Sequence, residues 1–491
     1  KLEYKNKKED LLRSFTKSIF VIALLTLTAQ GSFAGDLKWS GQYRFEGLKV
    51  FNPSLQDGGT NKSYILHHLT LRPEITAYDG LTIHSRFDLL NSSAHPNDQL
   101  GQTFGSGINS NAGHSAGTNS GNSDTLGDQQ SRDMLAINEL YAVWNHEFGV
   151  FTVGRVPMHF GLGMMFNGGF GAFDHWLENR DIISYKMVMG NFYIMPVLAK
   201  SYEGDLDQED DVNDYIIQAQ YENPETELEM GFIWQSRRST SGANSNDTPV
   251  AVVGNGGTQQ DNYEVNFYNF FVSQWVDQVK VAFEVGFAEG STGIFKNGSE
   301  VEHKGFGGVL KVDWMPKTSS WGTTLDLGYA SGDDPATDTT FEGYVFDQNY
   351  DVAFLLFNHP MGQADFFRTA YARNINAAAP TATATNSNDF DTEAISNTLF
   401  ASAAVHYKWA EKYDLETRFT YAQLNKDPLQ TNVDSNAGYE LDLSLKYEPF
   451  EGFQWINRAG AFLPGDGFKG GTNNFSAETA YGFETKAAIS F

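Results

Sequence analysis

The chain of 491 residues contains no cysteine. Without thiols it can form no disulfide scaffold, no thiolate metal site, no cysteine nucleophile and no lipidated N-terminal cysteine. Basic residues are also scarce, since 34 lysines and arginines stand against 61 acidic residues and leave a formal charge of −27. A nucleic-acid binder gains affinity by neutralising phosphates with a broad basic face, so this charge balance excludes that class.

Long apolar runs are absent as well. No stretch reaches the ~20 apolar residues that a membrane-spanning helix requires. The short apolar stretch 19–29 follows six basic residues and precedes Ser32-Phe33-Ala34, a pattern typical of a secretory signal peptide. We therefore expect residues 1–34 to be removed on export and residues 35–491 to form the mature protein. Any membrane crossing must then be made by strands.

Aromatic residues and glycine are plentiful, with 38 Phe, 22 Tyr, 9 Trp and 48 Gly. This composition argues against disorder, because disordered chains are poor in aromatics. Apolar residues alternate with polar ones along many segments, such as 279–287 and 321–329. Alternation with period two is typical of strands that have one apolar face. A soluble β-sandwich also alternates, so other features must decide between the two.

Two features of the connections favour a membrane barrel. Tryptophan and tyrosine lie beside the turns, where the interfacial girdles of a barrel need them. Eight short turns also alternate with nine long polar connections, which implies eighteen strands. The long connections lie near 48–62, 91–131, 157–180, 201–213, 237–260, 290–303, 332–395, 425–436 and 464–475. Because only a helix or a closed sheet satisfies all backbone polar groups in lipid, the sequence predicts an all-β protein.

The predicted architecture is a single transmembrane antiparallel β-barrel in the outer membrane of a Gram-negative bacterium. It has about 18 strands, short periplasmic turns and long extracellular loops. A barrel of this width is expected to enclose water unless loops plug it. The last strand resembles the C-terminal signature that the barrel-assembly machinery reads in outer-membrane proteins. The residues of this assembly signal share one face and are Tyr481, Phe483, Ile489 and Phe491.

Several segments together resemble the alginate-export family of 18-stranded outer-membrane porins. Their order and spacing carry the resemblance rather than any single motif. The segments are Leu71-Arg72-Pro73, Glu139 followed by Val153-Gly154-Arg155, Gly328-Tyr329-Ala330-Ser331-Gly332, Glu440-Leu441-Asp442-Leu443, and Gly460-Ala461-Phe462-Leu463-Pro464-Gly465-Asp466. The resemblance implies the barrel fold and the export of an acidic saccharide through a basic constriction.

Alternation along the strands predicts that eight charged residues face the lumen and line the pore. They are Arg72, Arg86, Glu139, Arg155, Arg418, Arg458, Glu440 and Asp442. We expect Arg155 and Glu139 to form a charge pair in the lumen, either to select solutes or simply to brace the wall. Inward acidic residues match or outnumber inward basic ones, which departs from the basic constriction of the family. The sequence therefore predicts weak cation preference, which Arg155→Ala should strengthen.

Other motifs are weaker. The acidic loop around Asp205–Asp211 is a candidate surface Ca²⁺ site, although a solvated external loop is the simpler and favoured explanation. Residues 113–117 match G-x-S-x-G but lie in a Gly/Asn/Ser-rich loop rather than between a strand and a helix. The apolar stretch 157–171 either folds inward as a constriction or packs against the rim. We expect no catalytic site, no bound metal and no cofactor.

The function predicted from the sequence is passive passage of small hydrophilic solutes, or export of a saccharide. One alternative is a surface binding or adhesion barrel with a closed lumen. Another is a barrel enzyme at the outer surface, which would need a cluster of catalytic side chains that the sequence does not offer. The expected partners are outer-membrane lipid, lipopolysaccharide, the barrel-assembly machinery and a small solute, with no nucleic acid.

Overall fold

The computed structural model describes residues 35–90, 102–103, 135–202, 211–239, 257–259, 262–296, 298–334, 339–367 and 393–491. Eighteen long strands follow one another through these residues, and we number them in chain order. They are β1 Asp36–Phe51, β2 Lys62–Tyr78, β3 Leu81–Leu89, β4 Leu135–His146, β5 Gly149–Pro157, β6 Asn179–Met189, β7 Phe192–Tyr202, β8 Val212–Asn223, β9 Leu228–Ser239, β10 Tyr263–Val276, β11 Val279–Lys296, β12 Ser299–Trp314, β13 Trp321–Ala330, β14 Thr398–Ala410, β15 Tyr413–Leu424, β16 Asn436–Tyr447, β17 Phe453–Pro464 and β18 Ala480–Ser490. Three short pairing segments, Gln102–Thr103, Gly257–Gln259 and Thr340–Phe341, extend the sheet.

The sheet closes on itself. Each long strand pairs antiparallel with the next, and β18 returns to β1 in a register that runs from Gln42↔Ser490 to Phe51↔Tyr481. The prediction of an all-β, closed, antiparallel barrel of eighteen strands is therefore confirmed. No helix among the described residues is long and apolar enough to span a membrane.

The wall is apolar outside and polar inside. On β13, Trp321, Leu325 and Leu327 are exposed on the outer face, whereas Thr324 and Asp326 are buried on the inner face. Tyr413 and Tyr447 stack across β15 and β16 at the short-turn end, which is the position of an interfacial girdle. The alternation in the sequence follows from this arrangement, because successive residues of a strand point alternately to the apolar outer face and to the polar inner face.

The connections at one end are short, as predicted, and each spans only a few residues between consecutive strands. The prediction of a long loop at 290–303 is wrong. There β11 runs to Lys296 and β12 begins at Ser299, so the two strands form a tall hairpin. Ile294 and Val301 are buried on its inner face. The Gly- and Ser-rich sequence that indicated a loop instead accommodates a β-bulge between Ser291 and Phe295.

Two connections fold back into the barrel from the opposite end. We call residues 158–178, between β5 and β6, segment A, and residues 331–397, between β13 and β14, segment B; segment B is described at 331–334, 339–367 and 393–397. Met158, Phe160 and Phe166 of segment A are buried against the inner wall. Of the two alternatives for the stretch 157–171, inward folding is thus the observed one.

Segment B fills much of the outer half of the lumen with an apolar core. Its buried aromatic residues pack with apolar side chains that the wall strands turn inward near their outer ends, including Val50 of β1, Val265 of β10 and Phe462 of β17. The segment contributes Phe341, Tyr344, Phe346, Val352, Phe354, Leu355, Leu356, Phe357, Met361, Phe366 and Phe367. The inner half of the lumen, toward the short turns, retains charged and polar wall residues.

Candidate functional site

A buried wall carboxylate holds the tip of segment A. Glu284 of β11 accepts hydrogen bonds from the backbone N–H groups of Leu162 at 2.5 Å and Met164 at 3.5 Å. The Asn269 side chain donates to the other carboxylate oxygen at 2.6 Å. Gly161 has φ +57°, and a Cβ there would lie 2.7 Å from the carboxylate. Glycine is needed because the backbone must turn this close to its anchor.

The far end of segment A is held by charges on β1. The His175 ring nitrogen lies 2.9 Å from the Glu46 carboxylate, and the Arg44 guanidinium lies 3.0 Å from the same carboxylate. Arg44 also donates a hydrogen bond to the backbone carbonyl of Asp174. Arg44 and Glu46 are almost fully buried beneath the segment. These inward charges therefore fasten segment A and do not face open water.

Segment B has an equivalent anchor on β16. The Glu440 carboxylate accepts three consecutive backbone N–H groups, from Phe354 at 3.0 Å and from Leu355 and Leu356 at 2.7 Å each. Just before them, the carbonyl of Val352 accepts hydrogen bonds from Ser402 and Thr420, both at 2.9 Å. Each of these hydrogen bonds satisfies a buried polar group that would be costly to leave without a partner. The wall thus fixes both segments through their backbones.

The two segments also bind each other. Asn349 of segment B accepts the N–H groups of His175 and Trp176 and donates to the Trp176 carbonyl at 2.9 Å. The N–H of Asp347 donates to the carbonyl of Met164 at 2.8 Å. We call this set of hydrogen bonds the latch. Because its partners are main-chain groups, it depends on backbone position more than on side-chain identity in segment A.

A small polar cavity of about 40 Å³, which we call the gap, remains between the two segments and the wall formed by β17 and β18. Its wall carries Arg458, Glu484 and Lys486, with Lys486 at 3.0 Å from Glu484. Arg458 lies over the Phe354 ring, and Lys486 lies over the Phe173 ring. The residues that line the gap are Phe173, Asp174, His175, Trp176, Gln348, Asn349, Asp351, Phe354, Asn358, His359, Arg458, Glu484 and Lys486. This gap is the candidate constriction.

Burial shifts the ionisation of several groups on the segments. It lowers the pKa of His159 and raises the pKa values of Tyr344 and Tyr350, because the charged form of each group is poorly solvated there. The tyrosines stay neutral at ordinary pH. The tyrosines thus add no charge near the gap, and the electrostatic field there comes from the acidic and basic side chains that line it.

Seven of the eight predicted pore-lining residues face the lumen. Arg86 and Glu139 are nevertheless buried, and Arg86 is fixed by a hydrogen bond of 2.9 Å to Asp88. Arg418 bridges Asp326 and Glu416. The other inward residues serve different places: Arg72 is partly buried on β2, Glu440 and Asp442 hold segment B, and Arg458 lies at the gap. Contact with a solute remains a prediction for each of them.

The placement of Arg155 is a correction. Its cross-strand neighbours are Leu140 and Asp181, and Leu140 is exposed on the outer face between other exposed apolar residues of β4. Arg155 therefore points outward and makes a bidentate pair with Asp181 at 2.7 and 2.8 Å. The predicted lumenal pair with Glu139 is wrong. The β4–β5 hairpin pairs Arg155 with Leu140 rather than with Glu139. Arg155 also shares its face with Val153, which is exposed on the outer face, so alternation along β5 alone indicates the outward placement.

The sequence allows inward folding of segment A as one of two alternatives, but it does not indicate the anchor and latch roles of the residues that hold the segments. Glu284, His175 and Asn349 carry no motif, and each acts through hydrogen bonds to distant backbone. One signal was available in the sequence. Near the outer ends of strands such as β1 and β10, the residues that face inward are apolar, as Leu48, Val50 and Val265 show. Apolar side chains that face the lumen need an apolar partner inside the barrel to cover them.

The residues of the predicted assembly signal all lie on the outer face. Tyr481, Phe483, Ile489 and Phe491 are exposed there. The backbone of Phe491 exchanges hydrogen bonds of 2.8 and 3.0 Å with Gly41 on β1. They therefore complete the closing seam of the barrel, while recognition by an assembly machinery stays a prediction.

The remaining weak candidates are mostly outside the described residues, including residues 1–34, 113–117 and Asp205–Asp210. Asp211 is described, and it pairs with Lys200 at 3.1 Å. Among the described residues, no group of three or more His, Asp or Glu side chains is arranged to hold a metal ion.

A closed antiparallel barrel with an apolar outer face, short turns at one end and inward-folded loops from the other defines an outer-membrane β-barrel of the porin type. Solved structures share this fold. The chain resembles OccK9 (OpdG) of Pseudomonas aeruginosa with a TM-score of 0.51 and 10% identity, over 93% of this chain and 98% of that one. It resembles a BenF-like porin from Pseudomonas fluorescens Pf-5 with a TM-score of 0.50 and 9% identity, over the same shares. At these identities the likeness shows the fold alone.

No family model matches the sequence, and no curated protein matches it either.

Proposed function

We propose that the protein is a narrow, passive outer-membrane channel for small hydrophilic solutes. The observation that carries this proposal is the polar gap between segment A, segment B and the wall at Arg458, Glu484 and Lys486. If the lumen were simply closed, apolar side chains would be expected to fill this place. Charged and amide side chains line the gap instead, and such groups can replace the water molecules around a passing solute.

The inner half of the lumen supports the same function. Wall residues such as Lys311 and Glu416 keep about a third of their side-chain surface accessible. Solutes that pass the gap would therefore enter a wider, hydrated vestibule toward the short-turn end. Because the two segments narrow only the outer half, the gap sets both the size limit and the charge selection.

The absence of cysteine gives a direct test. Gln348→Cys places a single thiol at the gap, and Glu451→Cys places one in an exposed turn as the matched control. We expect a positively charged thiol reagent to reduce single-channel current in planar bilayers for the first variant and not for the second. Absence of conductance in the unlabelled protein would overturn the channel proposal.

Export of a saccharide, as in the alginate-export family, is the more specific version of this proposal. The resemblance of several segments to that family supports it. The charges do not favour a polyanion, since Arg44 is buried beneath segment A beside Glu46, and Arg86 is buried in the wall beside Asp88. A neutral oligosaccharide suits the gap better than a polyuronate.

The rival function is a surface binding or adhesion barrel with a closed lumen. The apolar core that segment B forms inside the barrel favours this rival. An outer-surface enzyme has no such support, and we propose none. A protein that inserts into bilayers without conducting, while its loops bind cells or matrix, would establish the closed form. Contacts with lipopolysaccharide and with the barrel-assembly machinery also remain proposals.

A further inference from the structure

The outward position of Arg155 needs an explanation, because a charged residue on the outer wall of a membrane barrel is costly when it faces lipid tails. Other outward polar and charged residues lie beside it. Cross-strand register places Arg155, Asp181, Lys200, Asn213, Arg238 and Glu264 side by side on six consecutive strands, β5 to β10. We call these residues the charged row. A basic residue occurs on every second strand of it.

The acids of the row and its edge hold the bases in place. Arg238 pairs with Glu264 at 2.9 Å, and Lys200 pairs with Asp211 at 3.1 Å. The side chains of Arg155, Lys200 and Arg238 remain between 40% and 54% accessible despite these pairs. Oriented, half-exposed bases can bind an anion without giving up their acidic partners.

A second row lies directly beneath the first, one step toward the short-turn end. Val153, Ile183, Leu198 and Tyr215 are neighbours in register and all are exposed on the outer face. The wall thus presents a line of charges immediately above a line of apolar side chains. That is the order of a lipid molecule, with its headgroup above its tails.

The outer ends of three strands elsewhere in the described wall are different. Toward the outer ends of β14, β16 and β18, the exposed outward residues are Leu399, Tyr439 and Tyr481. On those strands an aromatic or aliphatic residue is sufficient at the outer boundary of the membrane. A row of charges is therefore not required at that boundary, and its presence on β5 to β10 suggests a role in binding.

We propose that the charged row and the apolar row beneath it form a binding site for outer-leaflet lipid with a phosphate-bearing, anionic headgroup. The headgroup phosphates lie between the bases of alternate strands, and the acyl chains pass the apolar row at Val153, Ile183 and Leu198 on their way toward the bilayer centre. The half-exposed bases and the apolar row directly beneath them together select a lipid over free phosphate. This site is independent of the proposed channel.

The test compares lipid retention. Protein purified in detergent is mixed with diphosphoryl lipid A and read by native mass spectrometry, for the unmodified protein and for the triple variant Arg155→Gln/Lys200→Gln/Arg238→Gln. With each base worth about as much as a lysine near an anionic bilayer, we expect retention to fall roughly tenfold or more. Lys304→Gln is the matched control, because Lys304 is also outward and ion-paired but lies outside the row.

Unchanged retention in the triple variant would overturn the proposal, as would displacement of the lipid by millimolar inorganic phosphate. Loss of a dimer or trimer peak without loss of lipid would assign the row to contact between copies instead. Heat-modifiable migration of the triple variant on gels shows whether the barrel is folded. Single variants at Arg155 and Arg238 keep the test decisive if the triple variant does not assemble.

Discussion

Arg155 and Arg458 carry the same charge on the same barrel and face opposite sides of its wall. Arg458 lies at the gap with about a quarter of its side chain accessible, and Arg155 lies outside it beside Asp181. Two arginines that sequence patterns treat alike therefore have different consequences for ion flow.

We expect Arg458→Ala to increase cation preference at low salt and Arg155→Ala to leave it unchanged. Removing a base from a pore wall lowers the barrier for cations, whereas a base behind the wall is separated from the path. The reversal potential across a KCl gradient measures both. The difference should shrink at 1 M salt, where the Debye length is ~3 Å. An equal shift from Arg155→Ala would show that the assigned face is wrong.

At the same scale, Glu440 is the residue on which segment B depends most. Glu440→Gln keeps the size of the side chain but replaces one of its two acceptor oxygens with an NH2 group, so at least one of the three buried N–H groups loses its acceptor. An unsatisfied buried donor costs about 1–3 kcal/mol, and the attachment of segment B should weaken by that amount. We expect larger and noisier single-channel currents, with Glu451→Gln in an exposed turn as the control. Currents identical to those of the unmodified protein would contradict the anchoring role.

Among the elements, segments A and B behave as one unit because the latch joins them through main-chain groups. Asn349→Ala removes three hydrogen bonds between the segments and leaves the wall anchors at Glu284 and Glu440 intact. We expect more frequent fluctuations between conductance levels, with little change in the thermal stability of the barrel. Asn358→Ala is the matched control, since Asn358 bonds only to Ala353 within segment B. Fluctuations of equal frequency in both variants would argue against the latch.

How far the sequence predicts the elements depends on the range of the interactions. Strands, short turns and barrel closure follow from period-two alternation, which is local and repeats many times. The bulge beside Glu139 is a single-residue event that turns Glu139 inward, although Ile137 two residues earlier is exposed on the outer face. The hairpin at Lys296–Ser299 was mistaken for a loop because glycine and serine serve bulges as well as loops. The sequence does not predict where segment B lies, because Glu440, which holds its backbone, is more than eighty residues further along the chain.

For the whole molecule, closure of the barrel is the decisive event, and the seam between β1 and β18 ends at the contact between Gly41 and Phe491. A Cβ at Gly41 would lie 2.7 Å from the Phe491 ring and 2.7 Å from the Thr70 carbonyl. We expect Gly41→Val to reduce heat-modifiable barrel in the outer membrane, as should replacement of Phe491 by a polar residue. Gly190→Val, in a turn where added atoms meet no neighbours, tests for a general effect of bulk, although its positive φ adds local strain. Full assembly of both seam variants would show that the seam tolerates repacking.

The orientation of the barrel makes a second prediction at this scale. Long connections are expected outside and short turns in the periplasm. A cysteine replacing Gly298 at the tip of the tall hairpin should react with an impermeant reagent on intact cells. One replacing Glu451 in the turn between β16 and β17 should not. The reverse pattern would invert the topology.

The apolar core inside the barrel has a consequence for heat. In a hollow barrel most apolar side chains face lipid both before and after tertiary structure is lost, so little apolar surface becomes newly hydrated. Here the side chains around Phe354 and Phe462 are shielded from water by segment B. Releasing that segment would hydrate them and produce the positive heat-capacity change that is familiar from soluble proteins. Calorimetry should therefore resolve an event with this signature in the outer half of the molecule while the wall remains intact.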